Sequence, residues 1–398
     1  MRIAVVSPFV DRRHGAERAL AELLEHLARM RHCEIHLYAQ RVEDLVTQSS
    51  AAPRRVEGGA ILWHKVPSVP GPHLFQFLSW FFLNGLCRWR DRCFHGLHFD
   101  ALFSPGINCY GANVILVHAV FHRLAELQEQ STPSGLRSVH QRLYYRVLRS
   151  LERRIYSNRR VLLAAVSQRT AKQIGHYFGR EDVMVIPNGV DTSIFHPQAC
   201  RDRRADARVR WNFAPREKVL LLIGNDWRNK GLTVLLRAAA LCRDLPLRLL
   251  VVGRESASSW VKTIAELQLA DRVSFSLPSA NVLDFLAAAD VYAAPSLEDS
   301  FNLPALEAMA CGLPVIVSTR AGISEWIHNG SDGMLLQDPQ DPAELAAALQ
   351  KLIRDPESMR CLGENAARTA TTLSWDSHAD AIYNLLRGTL VRPVNSAI

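Results

Sequence analysis

"DVYAAPSLEDSFNLPALEAMACGLPVIVS", residues 290–318, reads as strand, loop, helix and strand in quick succession. Val291–Ala294 is a short apolar run that stops at Pro295. Pro304 then falls where a helix begins, since the first helical N–H has no partner to lose. "PALEAMAC" continues that helix, Gly312 and Pro314 end it, and "PVIVS" is a second apolar run. Two uninterrupted apolar strands joined by a helix are the mark of a parallel sheet covered on both faces. The loop between carries two carboxylates, Asp299 and Glu307, on either side of the helix start.

The same rhythm extends in both directions. Upstream run "KVLLLIGND", "GLTVLLRAAALC", "LRLLVVGRE", "SWVKTIAELQL", "RVSFSLP" and "NVLDFLAAA", alternately strand and helix. The chain also opens on a strand, "RIAVVSPF", followed by the helical "GAERALAELLEHLARM" and the strand "CEIHLYAQ". "HFDALFSPG", "NVILVHAV" and "VLLAAVS" add strands to the first half. The expected fold is α/β, with two doubly wound Rossmann-like domains facing across a cleft. Residues 1–190 form the first, 191–373 the second, and 374–398 a last helix and tail packing back on the first; 398 residues suit two domains better than one.

The formal net charge of +8 is unevenly spread. Residues 1–190 hold 25 Lys and Arg against 15 Asp and Glu, and residues 191–398 hold 22 against 24. An anionic partner is therefore expected at the first half. No nucleic-acid motif accompanies the charge, so no nucleic-acid partner is expected. The eight cysteines are scattered and read as reduced thiols, and the N-terminus lacks the pattern of a signal peptide, which points to the cytoplasm. No metal site and no cofactor are expected.

Four loops carry the candidate chemistry. In "SPFVDRRHGAER", Gly15 and Ala16 stand where a helix begins, either letting a ligand approach its N–H groups or making a plain tight turn. The loop lacks GxGxxG, which argues against a dinucleotide oxidoreductase. In "GNDWRNKGL", Arg228 and Lys230 flank a helix start. Cations there oppose the helix dipole, which makes sense if a diphosphate sits among them; the alternative is a solvated turn. In the opening stretch, the N–H groups of Ser300, Phe301, Asn302 and Leu303 are expected to face the cleft. Glu307 would accept from a ribose diol and Asp299 from sugar hydroxyls, unless both acids only satisfy the helix end. In "ILVHAVFHR", His118 ends a strand and is expected to line the cleft; His122, four residues on, would share a metal with it only if a third ligand joined them.

Together these motifs resemble the retaining glycosyltransferases of family 4, of GT-B fold, and among them members that build lipopolysaccharide cores. "VIPNGVDTSIFHP" is similar to that family's interdomain segment, "GNDWRNKGL" to its phosphate-binding turn, "DSFNLPALEAMACGLPVIVS" to its acid-x7-acid motif and "GSDGMLL" to a downstream loop. The resemblance implies metal-independent hexosyl transfer, with retention, from a sugar nucleotide, a UDP-sugar being preferred. The acceptor would be a glycan or anionic glycolipid at the inner membrane face. By that pattern His118 and Asp299 attend the transferred sugar and Glu307 binds ribose. Arg228 and Lys230 neutralise the diphosphate, and Ser300, Phe301, Asn302 and Leu303 surround sugar and phosphate. Gly15 and Ala16 approach the donor from the other domain. The chain departs from the pattern at Asp299, where Glu is commoner and Glu298 is a rival, at Asn302 for Gly, at Asn225 for Arg, and at Ala119 for Asp. Two other readings share the motifs: a GT-B UDP-sugar epimerase or hydrolase, and a non-catalytic sugar-nucleotide-binding membrane scaffold.

Two further stretches bear on the acceptor. "LFQFLSWFFLNGLC", residues 74–87, carries no charge and is too short to span a bilayer. It reads as a buried core helix, with interfacial membrane contact as the alternative. Residues 137–160 hold eight Arg and one acid. There Leu143, Val147 and Leu151 are expected on one face, with Arg142, Arg146, Arg149 and Arg153 beside them for peripheral contact with an anionic membrane or glycolipid; the alternative is a solvated face.

Overall fold

A computed structural model describes residues 1–13, 15–49, 59–129, 136–279 and 281–391. The tail 392–398, part of the segment expected after the second domain, lies outside the described residues, as does His14 of the first loop. The chain divides into two compact units, Met1–Pro187 with Trp375–Ile398, and Asn188–Ser374.

The first unit is built on an eight-stranded sheet. Its main strands are β1 (Arg2–Val6), β2 (Glu34–Ala39), β3 (Ala60–Lys65), β4 (Ala101–Pro105), β5 (Val114–Val117) and β6 (Leu162–Ala165). Every pairing is parallel, with Ile3 of β1 between Ile35 of β2 and Ala101 of β4. Two-residue strands Gln48–Ser49 and Met184–Val185 close the two edges. β1 is central because it can be: Ile3, Ala4, Val5 and Val6 are wholly buried. Helix α1 (Gly15–Arg31) turns Leu20, Leu23, Leu24 and Leu27 onto the core at helical spacing. The helices that follow include α2 (His73–His95), α3 (Phe121–Glu129) and α4 (Leu136–Tyr156).

Beneath α2 lies a buried polar chain. His36 Nδ1 meets His64 Nε2 at 2.8 Å, His64 Nδ1 meets Asp91 Oδ2 at 2.9 Å, and the Tyr38 hydroxyl donates to the same oxygen at 2.9 Å. Burial holds the His64 imidazole down at about 4.

The second unit carries a six-stranded parallel sheet: β7 (Lys218–Ile223), β8 (Leu247–Val252), β9 (Val273–Ser276), β10 (Val291–Ala294), β11 (Val315–Ser318) and β12 (Met334–Leu336). The spatial order is β9-β8-β7-β10-β11-β12. The chain winds outward from β7 on one side, then returns to start again at β10 on the other. In such a sheet the loops leaving the two central strands diverge, and the gap at their carboxyl ends is where ligands bind. Helices α5 (Leu232–Leu241) and α6 (Leu303–Ala310) start just beyond those two loops. The last helix, α7 (Trp375–Val391), belongs with the first unit, where Arg31 of α1 bonds Asp380 at 2.8 Å and His378 donates to the Pro187 carbonyl at 2.7 Å.

Candidate active site

The loops 224–231 and 295–302 leave β7 and β10, which are hydrogen-bonded neighbours. Gly231 brings the two loops together. It adopts φ +86°, and a Cβ there would lie 2.1 Å from the Pro295 carbonyl oxygen, so only glycine fits. Asn229 clasps the other loop by its backbone: Nδ2 donates to the Glu298 carbonyl at 2.8 Å and Oδ1 accepts from the Glu298 N–H at 3.2 Å. The Leu297 N–H donates in turn to the Asn229 carbonyl at 2.8 Å. Underneath, Trp227 is buried, packs at a tilt against Phe275 with ring centroids 5.0 Å apart and anchors the turn.

On this frame Lys230 forms an ion pair with Asp299, with both side chains largely buried. Asp299 is held at its backbone as well, donating to the Arg320 carbonyl at 3.2 Å and accepting from the Gly322 N–H at 3.0 Å. Its other carboxylate oxygen accepts from the Phe301 N–H at 3.4 Å. That N–H is therefore turned inward rather than offered to a ligand. The N–H groups of Ser300, Asn302 and Leu303 have no hydrogen-bond partner among the described residues. Phe301 is itself buried, 5.6 Å from the Trp326 ring.

Asn302 explains its own presence. It sits at φ +78° as the cap of α6, its Oδ1 accepting from the Ala305 N–H at 3.2 Å and from the buried Tyr292 hydroxyl at 2.9 Å. Glycine would reach this backbone but make neither bond. Glu307 lies one turn on and is 1% exposed, so it is an interior carboxylate rather than a surface decoration.

Two family models match the chain: "Glycosyltransferase Family 4" over residues 13–194, and "Glycosyl transferases group 1" over 217–355. The chain belongs to the family 4 glycosyltransferases. It is 34% identical over 239 residues to a D-inositol 3-phosphate glycosyltransferase of Rhodococcus jostii, covering 57% of this chain and 52% of that protein. A protein of the same name from Thermomonospora curvata is 35% identical over 244 residues, covering 57% and 56%. The match thus spans about half the length of these curated relatives. Solved structures similar in fold include WaaG, a glycosyltransferase involved in lipopolysaccharide biosynthesis, with a TM-score of 0.79, 18% identity and coverage of 97% and 100% of the two chains. They also include sucrose-phosphate synthase from Thermosynechococcus elongatus, at 0.76, 21%, and 98% of each chain. HepE of Anabaena, solved with UDP and glucose, follows at 0.71, 19%, and 97% and 99%. These likenesses establish the GT-B fold.

Within the chain the residues singled out in the sequence fall into separate groups. Asp299, Lys230, Ser300, Phe301, Asn302, Leu303 and Glu307 gather at the two loops of the second unit. Arg228 is on the same turn but exposed, and Asn225 accepts from the Arg254 N–H at 3.2 Å. Of the two rival acids, Glu298 is the one clasped through its backbone and Asp299 the one paired with lysine. Asn229, Gly231 and Tyr292 escaped the sequence reading. The turn "NKGL" held the signal for two of them, a glycine and an asparagine flanking the lysine.

In the first unit, Gly15 and Ala16 open α1, both exposed, and a Cβ at Gly15 would meet nothing within 4 Å. His118 directly follows β5; the residue is partly exposed, yet its Nε2 is buried with no partner among the described residues. Burial, and next the neighbouring His378, hold its imidazole at about 4, so the neutral ring prevails at pH 7. His122 has a different task from the metal sharing considered for it. Its Nδ1 meets Glu152 Oε2 at 2.7 Å, and Glu152 also accepts from the N–H groups of Phe121 and His122 at 2.8 and 2.9 Å. Among the described residues no group of three potential ligands could hold a metal.

Glu152 is the one acid of the arginine-rich stretch, and it is wholly buried. It caps the N-terminus of α3 from α4, and burial pushes its carboxyl up to about 7. Leu148, Glu152, Ile155 and Tyr156 of α4 turn inward, whereas Leu143 is 50% exposed; of the three apolar residues expected on one face, Leu151 alone packs on the core with Val147 half-buried. Arg142, Arg146 and Arg153 are exposed and Arg149 is half-buried. In the uncharged stretch 74–87, Trp80 and Asn84 are buried, as expected of a core helix, while Phe75, Leu78, Phe82 and Leu86 are exposed. All eight cysteines are free thiols, and among the described residues no helix is long and apolar enough to cross a membrane.

Proposed function

We propose that this glycosyltransferase moves a hexosyl group, with retention, from a nucleotide-diphosphate sugar to a glycan or anionic glycolipid at a membrane face. The observation that carries the proposal is the Lys230–Asp299 pair at the point where the second sheet reverses its winding. A lysine beside unpartnered N–H groups at a helix start suits a departing diphosphate. The phosphate would draw Lys230 away from Asp299 and so release the carboxylate to accept from hydroxyls of the sugar. Glu307 would take the ribose, and Arg228 would add charge at the rim. His118, neutral at pH 7, would hydrogen-bond the donor sugar, with Gly15 and Ala16 close to the donor.

UDP is the nucleotide to test first, because a fold neighbour was solved with UDP and glucose. The relatives named for D-inositol 3-phosphate favour an acceptor that carries phosphate, in keeping with the basic first half. With a lysine to balance the leaving group, transfer would proceed in EDTA.

The test screens UDP- and GDP-sugars for thermal stabilisation, then follows release of nucleotide with and without acceptor. Stabilisation by one donor, lost in Lys230→Ala together with about 10²–10³ in turnover, is expected. Epimerisation or hydrolysis of the donor at full rate without acceptor would replace transfer with the epimerase reading. A donor that binds Lys230→Ala unchanged would remove the site from the mechanism.

A further inference from the structure

Helix α2 has two apolar faces. One packs on the core through Trp80, Phe77 and Phe81. The other exposes Phe75, Leu78, Phe82, Leu86 and Trp89, at steps of three and four residues that align them along the helix; Phe82 is 69% and Trp89 55% exposed. An outward helix face is normally polar, and a contiguous apolar stripe marks an interaction surface.

The stripe runs into a pocket of about 420 Å³ lined by Arg88, Trp89, Arg92, His98 and Phe99, with the start of β4 behind them. This pocket is at the amino ends of β4 and β5, the opposite end of the sheet from His118. Its lining holds two guanidiniums and an imidazole but no carboxylate. Arg88 donates through Nη2 to Asn84 at 3.1 Å, while its Nε is buried with no partner among the described residues. Asp91, the single acid of α2, is spent elsewhere, on Arg90, His64 and Tyr38. Beside α2, α4 packs Tyr144 against Phe77 at 6.4 Å and exposes Val139, Leu143, Arg142 and Arg146.

We propose that this face docks on an anionic phospholipid surface, with a lipid phosphate held by Arg88 and Arg92 in the pocket and the α2 stripe lying among the acyl chains. Volume and charge fit a phosphodiester headgroup, and basic residues beside an apolar stripe are what binds an interfacial helix to anionic lipid. A second copy of the chain fits poorly, since a symmetric contact would set the arginines against one another. The inference rests on the proposal that the enzyme works at a membrane face, but its test reads lipid binding alone. Donor stabilisation is scored separately, so loss of either leaves the other standing.

The full chain is sedimented at about 0.1 M salt with vesicles of phosphatidylcholine, and with vesicles that include phosphatidylglycerol. Expected is binding about tenfold tighter to the anionic vesicles, a preference abolished in Arg88→Ala/Arg92→Ala. Phe82→Ser weakens binding to both vesicles, and both variants keep the donor stabilisation of the wild type. Equal binding to the two vesicles, or variants that sediment like wild type, would overturn the proposal. So would inorganic phosphate that stabilises the protein through Arg88 and Arg92 while no vesicle binds, or a dimer in solution that Phe82→Ser dissociates.

Discussion

Gly231→Ala isolates the close approach on which the candidate site is built. The substitution has two costs. Alanine at φ +86° is strained by about 1–2 kcal/mol. In addition its Cβ would stand 2.1 Å from the Pro295 oxygen, where ordinary contact begins at 3.4 Å. Both obstructing groups belong to the backbone or a rigid ring, because Pro295 Cγ is next at 2.7 Å, so no side chain can swing aside. The loops must part by about 1 Å, at a further cost typical of overpacking, roughly 1–3 kcal/mol. Gly330→Ala is the control: φ is +80°, yet nothing lies within 4 Å of its Cβ. Thermal unfolding of the two variants is compared, together with donor affinity by calorimetry. For a unit of this size 1 kcal/mol moves the midpoint by about 2–4 °C. Gly330→Ala should therefore lose a few degrees and bind donor normally. Gly231→Ala should lose about twice as much and bind donor at least about tenfold more weakly, since a 1 Å misplacement carries penalties of that order. Equal midpoints and equal donor affinities would refute the claim that contact between these loops shapes the site.

Other outcomes follow from single contacts. Asn302→Gly keeps the backbone but leaves the Tyr292 hydroxyl buried without its acceptor, and should cost about 1–3 kcal/mol, relieved in part by Tyr292→Phe; an additive double mutant in urea unfolding would reject the pairing. Glu152→Ala strands two buried N–H groups and should cost about 2–4 kcal/mol, with Glu152→Gln milder; a variant as stable as wild type would show that α3 does not need this cap. Stability should fall on acidification. His64 titrates at about 4 in the folded chain against an ordinary 6.5, so the unfolded chain binds more protons between those values, and stability is lost as pH drops from about 6.5 towards 4. His122 and His378, also held near 4, act in the same direction; Glu152, raised from 4.5 to about 7, opposes them. Midpoints read from pH 7.5 to 5 should fall, and more steeply in Glu152→Gln; a flat profile in that variant would contradict the buried neutral histidines.

Amino-acid order alone determined the fold class. Apolar runs such as Arg2–Val6 and Lys218–Ile223, alternating with helices, have no way to bury themselves except in parallel sheets with helices on both faces. The loops with chemistry were legible for the same reason, since they follow those strands. Only the tertiary structure decided that loops 224–231 and 295–302 are neighbours, because that depends on β7 pairing with β10. It also decided what Asn302 and Glu152 are for, their partners being Tyr292 in the preceding strand and the N–H groups of another helix. Periodicity announces that a helix has an apolar face but not which face a neighbour will cover. That is why α2 proved apolar on its covered and uncovered sides alike.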